Sequence, residues 1–490
     1  MDREDSSSYR SIFKATSLFG GVQIYNIFIG IIKSKFIAVL IGPTGMGITG
    51  LYTSATSLVQ GFTAMGLSSS AVKNIAEAYG SGDNERLSIV ATVFKRLVWA
   101  TGILGMVATI IISPFLSKYS FGNYDYTIPF IFLSVTLLLQ QISAGQSVLL
   151  QGTRKLKHLA KSGVLGSTIG LFVSVPIYYT FGISGIVPTL ILNGITTLIL
   201  TWWFARKIKL EKKEITPKET LIKGKEMMKM GIVMSLNSVL VLGVSYIVRA
   251  YISNEGGLEE VGLFSAGFTI VNTYVGLIFA AMTTDYYPRL SAVNKNNDKC
   301  KEIINQQAEI AILILAPLLI IFLVFMPLIV ILLYSNEFSG TNGYMRWAIM
   351  GMLFKTAAWA IAYLFIAKGE AKLFIINEII ANIYTLMLNI GGYKLFGLDG
   401  LGMAFAISNI IYMTQVFIIA KKKYNFSFSR SFGKIYFSQL VLLALCFFVV
   451  FFLKTMNLYL FGTILVILSA YLSYKGLVKR IGLTNLLSKK

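Results

Sequence analysis

The amino-acid sequence predicts an all-α polytopic membrane protein of about fourteen transmembrane helices. Three observations predict it. Only 13% of the 490 residues are charged and 55% are hydrophobic, whereas an ordinary soluble chain carries roughly 25% charged residues. Apolar runs of about 20 residues, the length that crosses a bilayer as a helix, follow one another with short connections. Landmarks of the first half recur in the second at a constant shift, as Gly182 and Gly185 do at Gly397 and Gly400.

The runs lie at 14–34, 46–68, 90–113, 128–150, 160–180, 185–205, 230–250, 262–284, 308–333, 345–367, 373–393, 401–420, 435–453 and 458–475. The first follows the polar stretch MDREDSSSYRSIF and is too long for a signal-peptide core, so it is expected to be retained. Spans five and six, and again eleven and twelve, are divided by a Phe-Gly turn, Phe181-Gly182 and Phe396-Gly397. Glycine lets two antiparallel helices reverse within a few residues there. A basic linker covers 206–229. The runs at 435–475 stand outside the repeated part.

The repeat has several markers. Gly182 and Gly185 fall on Gly397 and Gly400 at a shift of 215, Gly47 falls on Gly262, and Asp83 falls on Asp298. Gly152 in LLQGTRKLK and Gly369 in FIAKGEAKLF pair at 217. The shift covers six spans, an even number, so both copies enter the membrane in the same direction. This predicts two parallel-repeat six-helix lobes, 14–205 and 230–420, and such halves typically enclose a central site and rock about it.

Charge orients the spans. Lys and Arg concentrate in the even-numbered connections, at Arg154–Lys161, in the linker, at Arg289–Lys301, at Lys421–Lys434 and in the tail, while the opposite side has scattered members such as Lys118 and Lys394. The positive-inside rule makes the rich side, with both termini, cytoplasmic. The net charge of +22 is then a sum of loop markers, and nucleic-acid binding is excluded. Two cysteines give no disulfide or metal framework. No Gly-x-x-x-x-Gly-Lys-Ser/Thr occurs, and GSGDNERL lacks the Lys-Ser/Thr of a phosphate cradle. No loop is long enough for a catalytic domain. No cofactor, metal or enzymatic activity is expected.

Ionisable residues inside spans are functional candidates by default. Lys33 lies at the end of the first span and Lys35 just beyond it, where snorkelling to the outer interface is the competing role. Arg249 lies late in the seventh. Lys355 stands ten residues past Met345, about 15 Å along a helix, near the bilayer centre, with Glu378 in the next span as the candidate carboxylate to pair with. Asp285 and Glu309 sit toward cytoplasmic ends, with gating or coupling roles open to them. The first six spans hold no acid well inside the membrane. Lys35, Arg249 and Lys355 therefore suit a diphosphate, since Lys and Arg donate strong charge-assisted bonds to phosphate oxygens. Glu378, Asp285 and Glu309 are the carboxylates available for coupling or gating.

Two lobes of six helices with LIGPTGMGITGLY ahead of the second span resemble the multidrug/oligosaccharidyl-lipid/polysaccharide (MOP) exporter superfamily. The segments SKFIAVLIGPTGMG, EEVGLFSAG, YYPRLS and GMLFKTAAWAIAYLFIAKGEAKLFIINE are similar to the Wzx-type lipid-linked oligosaccharide flippases. The resemblance covers about residues 14–420 and implies a MATE-like fold. It implies translocation of an undecaprenyl-pyrophosphate-linked oligosaccharide, an O-antigen-type repeat unit, to the periplasmic leaflet of a bacterial inner membrane by alternating access. A polysaccharide polymerase and a chain-length regulator are the implied partners. The alternative is a cation-coupled multidrug or small-molecule antiporter of the same fold, which would want a deep acid in the first lobe.

Overall fold

The computed structural model describes residues 3–208, 210–211, 215–453 and 455–481. Of the linker lysines, Lys209, Lys212 and Lys213 lie outside the described residues. Among those described, every regular element is helical: α1 (Arg3–Thr63), α2 (Leu67–Gly80), α3 (Asn84–Phe121), α4 (Thr127–Gly152), α5 (Leu156–Phe181), α6 (Ile186–Ala205), α7 (Pro217–Phe268), α8 (Gly276–Ala292), α9 (Asn297–Val324), α10 (Met326–Leu333), α11 (Thr341–Ala367), α12 (Ala371–Tyr424), α13 (Arg430–Phe452) and α14 (Thr455–Ile481). A π-helical segment, Thr269–Tyr274, separates α7 from α8. The chain divides into two compact units, Met1–Gly262 and Leu263–Lys490.

Ten described stretches are long and apolar enough to cross a membrane. Four of them run through a glycine with positive φ: Gly42 (63°), Gly182 (53°), Gly257 (87°) and Gly397 (58°). Their ψ values of −171°, −130°, 177° and −137° put all four in a region that is essentially glycine-only. Gly42 also precedes Pro43, which disfavours helical geometry at its predecessor. At Gly397 the chain reverses. A Cβ on Gly400 would stand 1.9 Å from the Gly392 carbonyl oxygen, whereas eight residues of straight helix span about 12 Å. Divided at these glycines, the ten stretches make fourteen segments of at least about 20 residues.

The repeat extends to backbone conformation. Gly42 and Gly257 are 215 apart, as are Gly182 and Gly397. The hairpin contact of Gly185 with Ile177 recurs at the same shift as that of Gly400 with Gly392. The end of α4 recurs at the end of α11. Lys155 N–H donates to Leu150 O (2.8 Å) and Arg154 N–H to Gln151 O (3.0 Å), and Glu370 N–H donates to Phe365 O (3.0 Å) and Gly369 N–H to Ile366 O (3.0 Å). These are Schellman bonds around a left-handed residue. That residue is Arg154 in one copy and Gly369 in the other, so the conformational partner of Gly369 is Arg154 and not Gly152. The pairing of Asp83 with Asp298 is also corrected. Asp83 caps α3 by accepting from Arg86 N–H (2.8 Å), while the cap of α9 is Asn296, accepting from Lys299 N–H (3.0 Å).

In the first unit α3 packs on α4, α4 on α6, and α5 on both α6 and α1. Tyr52, Phe121, Tyr126 and Phe130 form an aromatic core, with Tyr52 and Phe130 edge to face at 5.1 Å. The linker is pinned to α3, since Arg96 Nη1 donates to Thr220 Oγ1 (3.0 Å) and Glu211 N–H to Ser88 Oγ (3.0 Å). Its second half is already helix. Thr216 N–H donates to Glu219 Oε2 (2.8 Å) and Glu219 N–H to Thr216 Oγ1 (3.2 Å), a capping box with Pro217 in the first turn.

In the second unit α11 packs on α12 and α9, and α13 and α14 both pack on α9. Glu309 of α9 is buried, pairs with Arg480 of α14 at 2.5 Å and accepts from Ser429 Oγ at 3.1 Å. Arg480 also donates to Ser431 Oγ (2.6 Å). Gln439 of α13 bonds Ser469 and Ser473 of α14 in the buried seam. Arg480→Ala would strand the Glu309 carboxylate. We expect a loss of about 3 kcal/mol, read as a lower Tm in detergent, with the double variant Glu309→Ala/Arg480→Ala less destabilised than the single one.

Candidate functional site

The intramembrane cations fall in both units, each held differently. In the first unit Lys33 and Lys35 precede Gly42 by nine and seven residues, and Arg249 precedes Gly257 by eight. The first helix of each copy thus carries cationic side chains about 10–14 Å from its glycine break. Lys33 is half-buried and turned toward the α5–α6 hairpin. A Cβ on Gly170 would stand 3.1 Å from Asn193 Oδ1 and 3.8 Å from Lys33 Nζ. Asn193 Oδ1 is buried without a hydrogen-bond partner among the described residues. Around it runs a polar seam: Tyr25 OH with Thr168 Oγ1 (2.8 Å), Ser167 Oγ donating to Asn26 Oδ1 (2.9 Å), and Asn193 Nδ2 donating to Ser174 Oγ (3.2 Å). Snorkelling outward, the competing expectation for Lys33, is not what this geometry shows. Lys35 is half-buried. Arg249, also half-buried, turns back on its own helix, where Nη1 donates to Ser245 O (3.0 Å) and to Ser245 Oγ.

In the second unit Lys355 stands midway along α11, between its ends at Thr341 and Ala367. Its Nζ donates to Asn272 Oδ1 at 3.0 Å and lies 5.5 Å from the centre of the Phe405 ring. Asn272 belongs to the π-helical segment, and its Nδ2 is buried without a partner among the described residues. A π-helical turn inserts one extra residue and swings the side chains of that turn to a new direction. The first copy has continuous α-helix at the matching positions 54–59, so the copies diverge where Lys355 finds its partner.

Glu378 does not pair with Lys355. Its carboxylate is half-buried and accepts from Tyr412 OH at 2.5 Å, while Gln415 Nε2 donates to the neighbouring Asn377 Oδ1 at 2.7 Å. Two limbs of one hairpin supply this cluster. Among the described residues no carboxylate lies within ion-pair distance of Lys355 Nζ. Asp285 is largely exposed and paired with Arg289 one turn along α8 at 2.8 Å. Glu309 is engaged by Arg480. Tyr412, Asn377 and Gln415 escaped the sequence reading. Their signal was available, because residues at comparable distances before and after Gly397, offset by a few positions, face each other across the turn.

The chain can be compared with known proteins on this basis. Residues 36–342 match the family described as polysaccharide biosynthesis protein. The lipid III flippase of Escherichia coli strain K12 is 23% identical over 426 residues, covering 84% of this chain and 100% of that one. Among solved structures, an inward-facing multidrug resistance MATE family transporter of the MOP superfamily superposes with a TM-score of 0.71 at 16% identity, covering 82% of this chain and 94% of that one. The lipid II flippase MurJ in an inward closed conformation superposes at 0.65 and 16% identity, covering 95% and 99%. The MATE-like fold expected from the sequence is therefore the observed one, and the chain belongs to the polysaccharide biosynthesis protein family.

Proposed function

We propose that the protein is a flippase carrying a polyprenyl-diphosphate-linked oligosaccharide from the cytoplasmic to the periplasmic leaflet by alternating access, with both termini cytoplasmic. The observation that carries the reading is Lys355, an ammonium at mid-helix depth bonded to a neutral amide, with no carboxylate in reach among the described residues. A cation so placed is expensive unless an anion joins it, and a diphosphate is such an anion. Lys35 and Arg249 are the further proposed phosphate ligands. The relatives named as flippases of lipid II and lipid III support the same class of cargo. The lobes 14–205 and 230–420 are the proposed moving halves, and a polymerase and a chain-length regulator the proposed downstream partners.

Glu378 is the carboxylate we assign to coupling. Asp285 and Glu309 are already engaged by arginines, which leaves them a gating or anchoring part. The test is translocation of a polyprenyl-diphosphate oligosaccharide by the purified chain in proteoliposomes. The expected result is time-dependent accessibility of the sugar in the far leaflet. Export of cationic drugs without lipid translocation would establish the antiporter reading instead. Glu378→Gln keeps an acceptor for Tyr412 OH, so the protein should fold normally, and its transport rate should no longer respond to an imposed proton or sodium gradient.

A further inference from the structure

Unit one contains a cavity of about 740 Å³ between α3, α4, α6 and the linker, whose lining includes none of Lys33, Lys35 and Arg249. Lys95, Gln146 and Arg206 reach it as polar side chains, and its described lining has no carboxylate. Among the described residues none of these three side chains forms a hydrogen bond or ion pair. The Arg206 guanidinium lies 5.0 Å from the Trp202 ring centre and 5.1 Å from that of Trp203. The indoles thus hold it through cation–π contacts, and its N–H groups, without a hydrogen bond among the described residues, can donate to a ligand.

The level of the cavity is set by the helices. Lys95 lies about three helical turns into α3, which starts at Asn84, and Trp202 lies in the last turn of α6. Trp99 and Trp202 are 52% and 49% exposed, and half-exposed tryptophans mark the headgroup level of a spanning protein. Apolar walls begin directly beside the cations, with Val98 one turn from Lys95 and Ile199 one turn from Trp202. Ile208 and Leu210 of the linker complete the lining.

We propose that this cavity binds the headgroup of an anionic glycerophospholipid. Lys95 and Arg206 would hold the phosphodiester, Gln146 would meet a headgroup hydroxyl, and the acyl chains would run along Val98 and Ile199. Basic pockets between helices at this level suit anionic lipid heads. An oligosaccharide would need polar partners where Ile208 and Leu210 stand, so the transported lipid is not the occupant. The proposal is independent of the transport reading.

Quenching of tryptophan fluorescence in mixed micelles tests it with the full chain. Brominated phosphatidylglycerol is expected to reach half-quenching at a mole fraction at least about 5-fold lower than brominated phosphatidylcholine, and Lys95→Gln/Arg206→Gln should abolish the difference. If the double variant is not monodisperse, the exposed Lys95→Gln alone should reduce the preference at least about 2-fold. Equal quenching by the two lipids in the wild type overturns the proposal, as does a preference that survives the substitutions. Displacement of phosphatidylglycerol by an equimolar polyprenyl diphosphate also overturns it, since the occupant would then be the cargo.

Discussion

Lys355→Ala is expected to lower translocation about 10- to 150-fold with the protein at its normal level in the membrane. That range corresponds to losing the one charge-assisted hydrogen bond proposed between Lys355 and the cargo, roughly 1.5–3 kcal/mol. The substitution should not unfold the protein, because among the described residues Lys355 Nζ bonds Asn272 alone and faces one ring. Lys355→Gln separates charge from hydrogen bonding. It can still bond Asn272, and we expect it to be nearly as impaired as the alanine variant. Asn272→Asp tests the same point from the other partner. It places a carboxylate 3.0 Å from the ammonium, which should pair with it and slow transport while leaving Tm unchanged or raised. Normal transport in Lys355→Gln would remove the lysine from the mechanism.

The second large effect is on folding. Gly47→Ala and Gly262→Ala should each reduce the yield of monodisperse protein severely, with a cost of about 3 kcal/mol or more. A Cβ on Gly47 would stand 1.9 Å from Leu258 O, and one on Gly262 would stand 1.8 Å from Pro43 O. These contacts are reciprocal, since Leu258 follows Pro43 by the same shift that separates the two glycines. The obstacle in both cases is a carbonyl on a helical backbone, so no side chain can move aside to relieve it. Gly30→Ala and Gly391→Ala are the controls. Nothing lies within 4 Å of either Cβ, and alanine's higher helix propensity should leave Tm unchanged or slightly higher.

What could be read in the sequence follows what each residue is constrained by. The breaks at Gly42, Gly182, Gly257 and Gly397 demand a conformation few other residues adopt, so the Phe-Gly turns and the constant shift between the copies were visible without coordinates. The mid-helix depth of Lys355 was visible because rise per residue is constant. Its partner was not. The π-helical turn at Thr269–Tyr274 leaves no period in the composition, and it decides where Asn272 points. The capping box at Thr216–Glu219 has a legible Thr-x-x-Glu pattern, but it lies inside the basic linker, where charge masks it. The Asp83/Asp298 pairing failed for a related reason. Connections tolerate small shifts of register that helices do not, so a landmark in a loop keeps time less well than a glycine in a hairpin.

The clasp between Glu309 and Arg480 bears on how the chain is made. Its members are 171 residues apart, and ribosomes add about 5–20 residues per second. For roughly 10 to 30 seconds α9 exists while its counter-charge does not. A carboxylate without a partner is costly in hydrocarbon, so during that interval Glu309 has to wait at the bilayer edge where water solvates it, and α9 settles only when α14 is delivered. Chains cut short before residue 480 are therefore expected to leave Glu309 without its counter-charge and to be more open to membrane proteases, as a pulse-chase of the truncated chain would show.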